Sequence, residues 1–141
     1  MNWFKTVLFI TTSGKGFYNF TSAINEQLSD WGIEEGIAFL FLQHTSASLI
    51  INENYAPSAQ TDMENFLDHL VPEGESWLVH TLEGRDDSPA HLKSMITNTS
   101  LEIPIDNGVL SLGTWQGIYL AEHRNLTQQR RILLRALSAK P

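Results

Sequence analysis

Cysteine is absent from this 141-residue chain, which excludes disulfide frameworks, thiolate metal ligands and thiol nucleophiles. Positive charge is scarce, with 9 Lys and Arg against 16 Asp and Glu and a net charge of −7. Between Gly16 and Gly84 there is no Lys or Arg at all, while 11 acids lie there, from Glu26 to Glu83. Such a balance argues against a nucleic-acid binder or an anionic-membrane binder, because both need a basic face. Any anionic ligand is therefore left to Arg85, Lys93, Arg124, the Arg130/Arg131/Arg135 group, or a metal. Charged residues of either sign make up only 18%, below the usual ~25%. A surface so sparse in charge hints that another subunit covers part of it. Long apolar runs are missing too, and nothing approaches the ~20 residues of a membrane span. Val7-Leu8-Phe9-Ile10 is far too short for a signal-peptide core. The expected compartment is the cytoplasm.

What is present fits one globular domain over residues 1–141, with 42% hydrophobic residues. Trp3 to Thr11 is aromatic and β-branched, the composition of a strand, and Gly14-Lys15-Gly16 turns it. Thr21 is placed to cap a helix whose apolar stripe is Ile24, Leu28 and Trp31, with Gly32 as its stop. Ile37 to Leu42 is a continuous apolar run of strand length, which predicts a strand covered on both faces. Leu49-Ile50-Ile51 resumes as a second strand. Pro57 and Ser58 open a helix presenting Met63, Phe66, Leu67 and Leu70, and Pro72 closes it. Trp77-Leu78-Val79 reads as a short strand. Pro89, capped by Asp87 or Ser88, starts a short exposed helix carrying His91, Lys93 and Ser94. Asp106-Asn107-Gly108 between two apolar runs is a hairpin signal, since Asn-Gly adopts positive φ cheaply. With strands over 113–124 and 131–137, residues 100–137 read as an antiparallel meander. The class is α+β, mostly antiparallel sheet or sandwich, with three helices.

Three polar segments interrupt the apolar strands: Gln43 to Ser48, Glu83 to Ser94, and Glu122-His123-Arg124. Polar groups at buried strand ends cost free energy unless paired, so each segment asks for a partner. Four of the five histidines (His44, His80, His91, His123) lie in or beside them. Neutral imidazole is a common ligand of zinc and similar metals, although no pair here has a local spacing such as H-x-x-x-H, and hydrogen bonds to strand ends would explain the same histidines. His69, beside Leu67 and Leu70, reads as an ordinary helix residue. On a strand from Gly113, Trp115, Tyr119 and His123 share one face, and Gln116, Glu122 and Arg124 the other. Trp115 is equally at home in a core. Glu83, Asp86 and Asp87 precede His91; turn and cap formation accounts for one of them, and a metal-bound histidine or a magnesium ion would use the rest.

The strings Gln43-His44-Thr45-Ser46-Ala47-Ser48-Leu49, Asn52-Glu53-Asn54, Glu83-Gly84-Arg85-Asp86-Asp87, Pro89-Ala90-His91-Leu92-Lys93-Ser94, Gly113-Thr114-Trp115-Gln116-Gly117-Ile118 and Glu122-His123-Arg124 occur in order. Together, over nearly the whole chain, they resemble the YjbQ-like family of secondary thiamine-phosphate synthases. Two departures stand out: Met95 follows Ser94 where the family often has a second serine, and Trp31 and Trp77 carry no inherited meaning.

The resemblance implies a small α+β homotrimer with a histidine-rich pocket, near a subunit boundary, that can hold a divalent metal, zinc or magnesium. It implies His44, His91 and His123 as pocket histidines, with His80 beside them. Glu53, Asp87 and Glu122 then stand as catalytic candidates, and Asn52, Lys93, Ser94, Trp115 and Arg124 as substrate-binding ones. The implied reaction joins a pyrimidine methyl pyrophosphate to a thiazole phosphate and releases pyrophosphate, which needs cations around the leaving group. The charge distribution objects to a pocket for two anionic substrates, so the expectation is a side activity. A metal-assisted hydrolase, with Glu122 or Glu53 as base, and a trimeric metal- or ligand-binding protein without catalysis are the other expectations.

Overall fold

The computed structural model describes residues 1–140. Among them the elements run β1 (Asn2–Ser13), β2 (Gly16–Asn19), α1 (Thr21–Trp31), β3 (Gly36–Leu42), β4 (Ala47–Glu53), α2 (Pro57–Leu70), α3 (Asp87–Met95), β5 (Ser100–Asp106), β6 (Val109–Leu110), β7 (Gln116–Glu122) and β8 (Thr127–Ser138). The strands form two antiparallel sheets, one in the order β1-β8-β3-β5-β6 and one in the order β2-β7-β4. Between them lies one core: Ile24 and Leu28 of α1, Leu40 and Leu42 of β3, Leu49 of β4, Ile118 and Leu120 of β7, and Ile132 and Leu134 of β8. This is the expected α+β, mainly antiparallel architecture with three helices. No helix among the described residues is long and apolar enough to cross a membrane.

Local signals placed several elements correctly. Asn107 and Gly108 both take positive φ, 53° and 79°, and join Asp106 to Val109 in a two-residue hairpin. Gly32 ends α1 in the left-handed conformation. Thr21 is the first helical residue and not the cap: Asn19 Oδ1 accepts both its backbone N–H and its hydroxyl.

Elsewhere the structure corrects the expectation. The region 100–137 is no meander, because β5 and β6 belong to the five-stranded sheet, β7 to the three-stranded one, and β8 returns between β1 and β3. Trp77-Leu78-Val79 forms no strand: Trp77 is in a turn, Leu78 and Val79 are irregular, and Trp77 and Val79 are exposed. The strand β2 supplies a pairing that the Gly14–Gly16 turn did not announce. β3 is buried on one face only: Ala38, Leu40 and Leu42 enter the core, whereas Ile37 and Phe41 are exposed. α2 carries its stripe, yet Phe66 and Leu70 remain exposed. α3 begins at Asp87, two residues before Pro89, and no side chain caps it. Asp87, one of the two cap candidates, instead binds His80, His91 and Arg124. Nor is it an exposed helix, since Pro89, Ala90, Lys93 and Ser94 are buried.

Candidate functional site

Residues at i and i+4 of a helix project from one face, so the first turn of α3 sets Asp87 and His91 side by side. Asp87 Oδ2 lies 2.8 Å from His80 Nε2 and 3.0 Å from His91 Nε2. The ligand atoms of these three side chains all lie within 4.8 Å of one another, the one such group of three or more among the described residues. Asp87 is almost fully buried, and its other oxygen takes a 2.5 Å bond from Arg124 Nη1. Arg124 also donates from Nε to Asp86 Oδ2 at 3.0 Å and from Nη2 to the Glu83 carbonyl at 2.9 Å. Burial alone would raise the Asp86 carboxyl, but the Asn125 N–H and the Arg124 guanidinium outweigh it and hold it below the usual carboxylate range. The guanidinium thus ties the end of β7 to the start of α3. His91 is oriented from behind: its Nδ1 is 2.8 Å from the Thr45 carbonyl. A carbonyl only accepts, so Nδ1 carries a proton, which leaves Nε2 as the ring atom that faces the Asp87 carboxylate. Two acceptors 3.0 Å apart repel unless a second proton or a cation lies between them.

The other histidines are elsewhere. His44 Nε2 accepts the Arg131 backbone N–H at 2.8 Å, and its pKa is lowered by burial and by the Arg130 charge. His123 is 3% exposed, with Nε2 2.8 Å from Ser48 Oγ. Burial, and then the Lys93 charge, push its pKa down to about 4. Neither joins His80 and His91 in the ligand group.

Glu122 points into the core, where Oε1 accepts from Thr12 Oγ1 at 2.6 Å and Arg130 Nε at 2.8 Å. Its Oε2 pairs with Arg130 Nη2 and accepts the Arg124 N–H at 3.1 Å. Burial opposes the charged form, but these bonds outweigh it and keep the carboxyl low. Lys93, 2% exposed, is bound to Asp68 at 2.5 Å, and Ser94 donates to the Ala47 carbonyl at 3.1 Å.

Asn52, Glu53 and Trp115 gather at the far end of the small sheet. Ala47 pairs with Glu122 and Glu53 with Gln116, so that end is about 20 Å of strand rise away. There Glu53 Oε2 accepts the N–H groups of Tyr55 and Ala56 at 2.6 and 2.9 Å. Asn52 is exposed, its Oδ1 accepting the Glu53 N–H. Trp115 is exposed, edge-on to Tyr55 with ring centroids 5.3 Å apart.

The family model for UPF0047 protein YjbQ-like matches residues 5–139. The chain belongs to the YjbQ-like UPF0047 family. A UPF0047 protein of Synechocystis is 47% identical over 130 residues, 92% of this chain and 88% of its own. The UPF0047 protein YjbQ of Escherichia coli O157:H7 is 42% identical over 132 residues, 93% of this chain and 95% of its own. The crystal structure of a YjbQ/UPF0047 family protein from Clostridium acetobutylicum superposes with a TM-score of 0.85 at 32% identity, covering 94% of this chain and 99% of that one. The names of these three state no reaction, so the reaction has to be argued from the site.

Within this YjbQ-like fold a cavity of about 310 Å³ adjoins the ligand group, lined by Gly74, Glu75, Leu78, His80, Thr81, Gly84, Arg85 and Ser88. Sequence reasoning named His80, His91, Asp87 and Arg124 but not their partners. The Asp87–His91 spacing was the one local signal. The Thr45 carbonyl and Asp68, 46 and 25 residues from the side chains they bind, left none.

Proposed function

We propose that the protein is a metal-dependent enzyme in which His80, Asp87 and His91 hold one divalent cation beside the cavity where a small substrate binds. The observation that carries this reading is the convergence of the His80, Asp87 and His91 ligand atoms within 4.8 Å of one another, with His91 Nδ1 held by the Thr45 carbonyl. Backbone orientation of the outer nitrogen is how ligating histidines are commonly fixed. Two imidazoles and a carboxylate are a donor set suited to zinc with a position left open; magnesium favours oxygen ligands and fits less well. A cation there would supply Lewis acidity to a carbonyl or phosphoryl oxygen. Arg124 holds Asp87 in place, and His80 presents the group to the cavity.

The charge pattern supports metal-assisted hydrolysis of one small substrate better than synthesis from two anions. Lys93 is paired to Asp68 and Arg124 to Asp86 and Asp87, so neither is left to stabilise a departing pyrophosphate. Thiamine-phosphate formation, which the family resemblance implies, is then a low-level side activity. We further propose the homotrimer as the working form, in keeping with the exposed apolar face of β3.

Elemental analysis of untagged protein purified without chelators tests the reading. About one zinc per chain is expected, lost in His91→Ala and Asp87→Asn variants that keep the wild-type circular dichroism. No metal in the wild type, or undiminished metal in His91→Ala, overturns it.

A further inference from the structure

Five arginines and four lysines are all the chain has for binding an anion, and the fold commits most of them. Arg124 is bound to Asp86 and Asp87, Arg130 to Glu122, Lys93 to Asp68, and Lys15 lies near Asp68 and Glu73. Arg131 donates to Gln43 Oε1 and lies over the Phe9 ring, and Arg135 donates to the Thr6 and Leu134 carbonyls. Lys140 lies 3.8 Å from Glu34, and Lys5 is on the outer face of the large sheet, opposite Arg135. Among the described residues Lys5 and Arg85 are the two left without a polar partner, and of these Arg85 alone borders a cavity. Its guanidinium has no ion pair and no hydrogen bond, and it lies on the wall of the 310 Å³ cavity that also contains His80. The exposed guanidinium lies close against the Gly74 backbone: a Cβ there would come within 2.2 Å of Arg85 Nη2 and displace it.

We propose that this cavity is an anion subsite for a phosphorylated small molecule, with Arg85 as the residue that holds the phosphate. A guanidinium presents parallel donors that match two oxygens of a phosphate. The hydroxyl-bearing Thr81 and Ser88 line the same cavity and offer donors for a third. Glu75 lines it too, and is an acceptor for a hydroxyl or amino group on the rest of the ligand. At about 310 Å³ the space is at the lower end of small-molecule pockets and suits a small ligand. That the ligand's other end reacts at His80, Asp87 and His91 rests on the metal-site reading above; the anion subsite does not.

Calorimetric titration with inorganic phosphate, with and without EDTA, separates the two. The wild type is expected to bind phosphate in both conditions and acetate more weakly. Arg85→Ala should weaken phosphate binding roughly ten- to a hundredfold, the range of one or two charge-assisted hydrogen bonds, with zinc content unchanged. Arg85→Lys, which keeps the charge without the fork, should fall between, and serves as the reporter if the alanine variant is misfolded by circular dichroism. Phosphate binding that vanishes with EDTA, that survives Arg85→Ala undiminished, or that acetate equals overturns the proposal. Loss of zinc with retained phosphate binding in His91→Ala supports it, and a wild type that holds no zinc yet binds phosphate through Arg85 defeats only the metal reading.

Discussion

His123 shows how far one buried side chain can bias the stability of this fold. Its ring is nearly inaccessible, hydrogen-bonded to Ser48, and faced by Lys93, Glu122, Arg130 and Lys15. Burial and the Lys93 charge disfavour the imidazolium and set the folded pKa at about 4, against an ordinary 6.5. The unfolded chain therefore binds a proton that the native state refuses between those two values. Stability from this group is complete above pH 6.5 and lost as pH falls toward 4, by about 3 kcal/mol at ~1.4 kcal/mol per pKa unit. Glu122 acts in a lower window. Its folded pKa is depressed, so its contribution is present above the unfolded value near 4.3 and is lost as pH drops through the folded one. Urea denaturation at a series of pH values should show the wild type losing stability from pH 6.5 to 4, and His123→Gln losing about 3 kcal/mol less over the same interval. Equal slopes for the two proteins would mean that His123 is not held neutral.

Among the elements, the sharpest steric demand is where β3 meets β8. A Cβ on Gly36 would lie 2.0 Å from the Leu137 carbonyl oxygen and 3.2 Å from the Ser138 Cα, both backbone atoms of β8. Gly36→Ala must therefore push β3 and β8 apart, at about 1–3 kcal/mol or more. At Gly108 a Cβ meets nothing nearer than 3.8 Å, so alanine there costs only the positive φ, about 1 kcal/mol. Thermal melts should rank Gly36→Ala below Gly108→Ala, and the reverse order would contradict this packing. The same comparison marks what a reader of the sequence can see. Asn107-Gly108 specifies its hairpin through its own backbone preferences, and α1 is set by Ile24, Leu28 and Gly32, all within one helix. Gly36 gave no such warning, since the Leu137 carbonyl it abuts is 101 residues away in β8. The division of β5 to β8 between two sheets is non-local in the same sense. At the site, Asp87 and His91 were legible because a helix brings i and i+4 together. His44 and His123 carry the same chemistry in the sequence and yet bind Arg131 and Ser48, contacts only the folded chain makes.

On the scale of the whole molecule, the outer face of the large sheet is an exposed apolar surface. The register sets Trp3 beside Leu137 and Leu137 beside Ile37, and Val7 beside Leu133 and Leu133 beside Phe41. Trp3, Ile37 and Phe41 are 57%, 42% and 50% exposed. Two apolar rows thus cross three strands, and Trp3 packs on Phe39 at 6.2 Å. Apolar patches of this kind mark interfaces, since leaving them in water forgoes roughly 25 cal/mol for each Å² of apolar area. The low share of charged residues is what the proposed assembly would require, since a sheet face buried against other copies needs no charges. Lys5 and Arg135 lie side by side across β1 and β8 on this face, and Glu102 lies beyond Phe39 on β5, so the surface carries both signs for a heterologous contact that closes into a ring. The proposed trimer should sediment at about three times the 15.9 kDa chain mass. Phe41→Glu, which places a carboxylate amid the apolar rows and touches no core residue, should shift it toward monomer while the far-ultraviolet circular dichroism stays unchanged. A wild type that sediments as monomer at micromolar concentration would remove the trimer. A Phe41→Glu variant that stays trimeric would instead move the contact off this sheet, to the exposed Tyr55–Trp115 pair or the Phe66 and Leu70 side of α2.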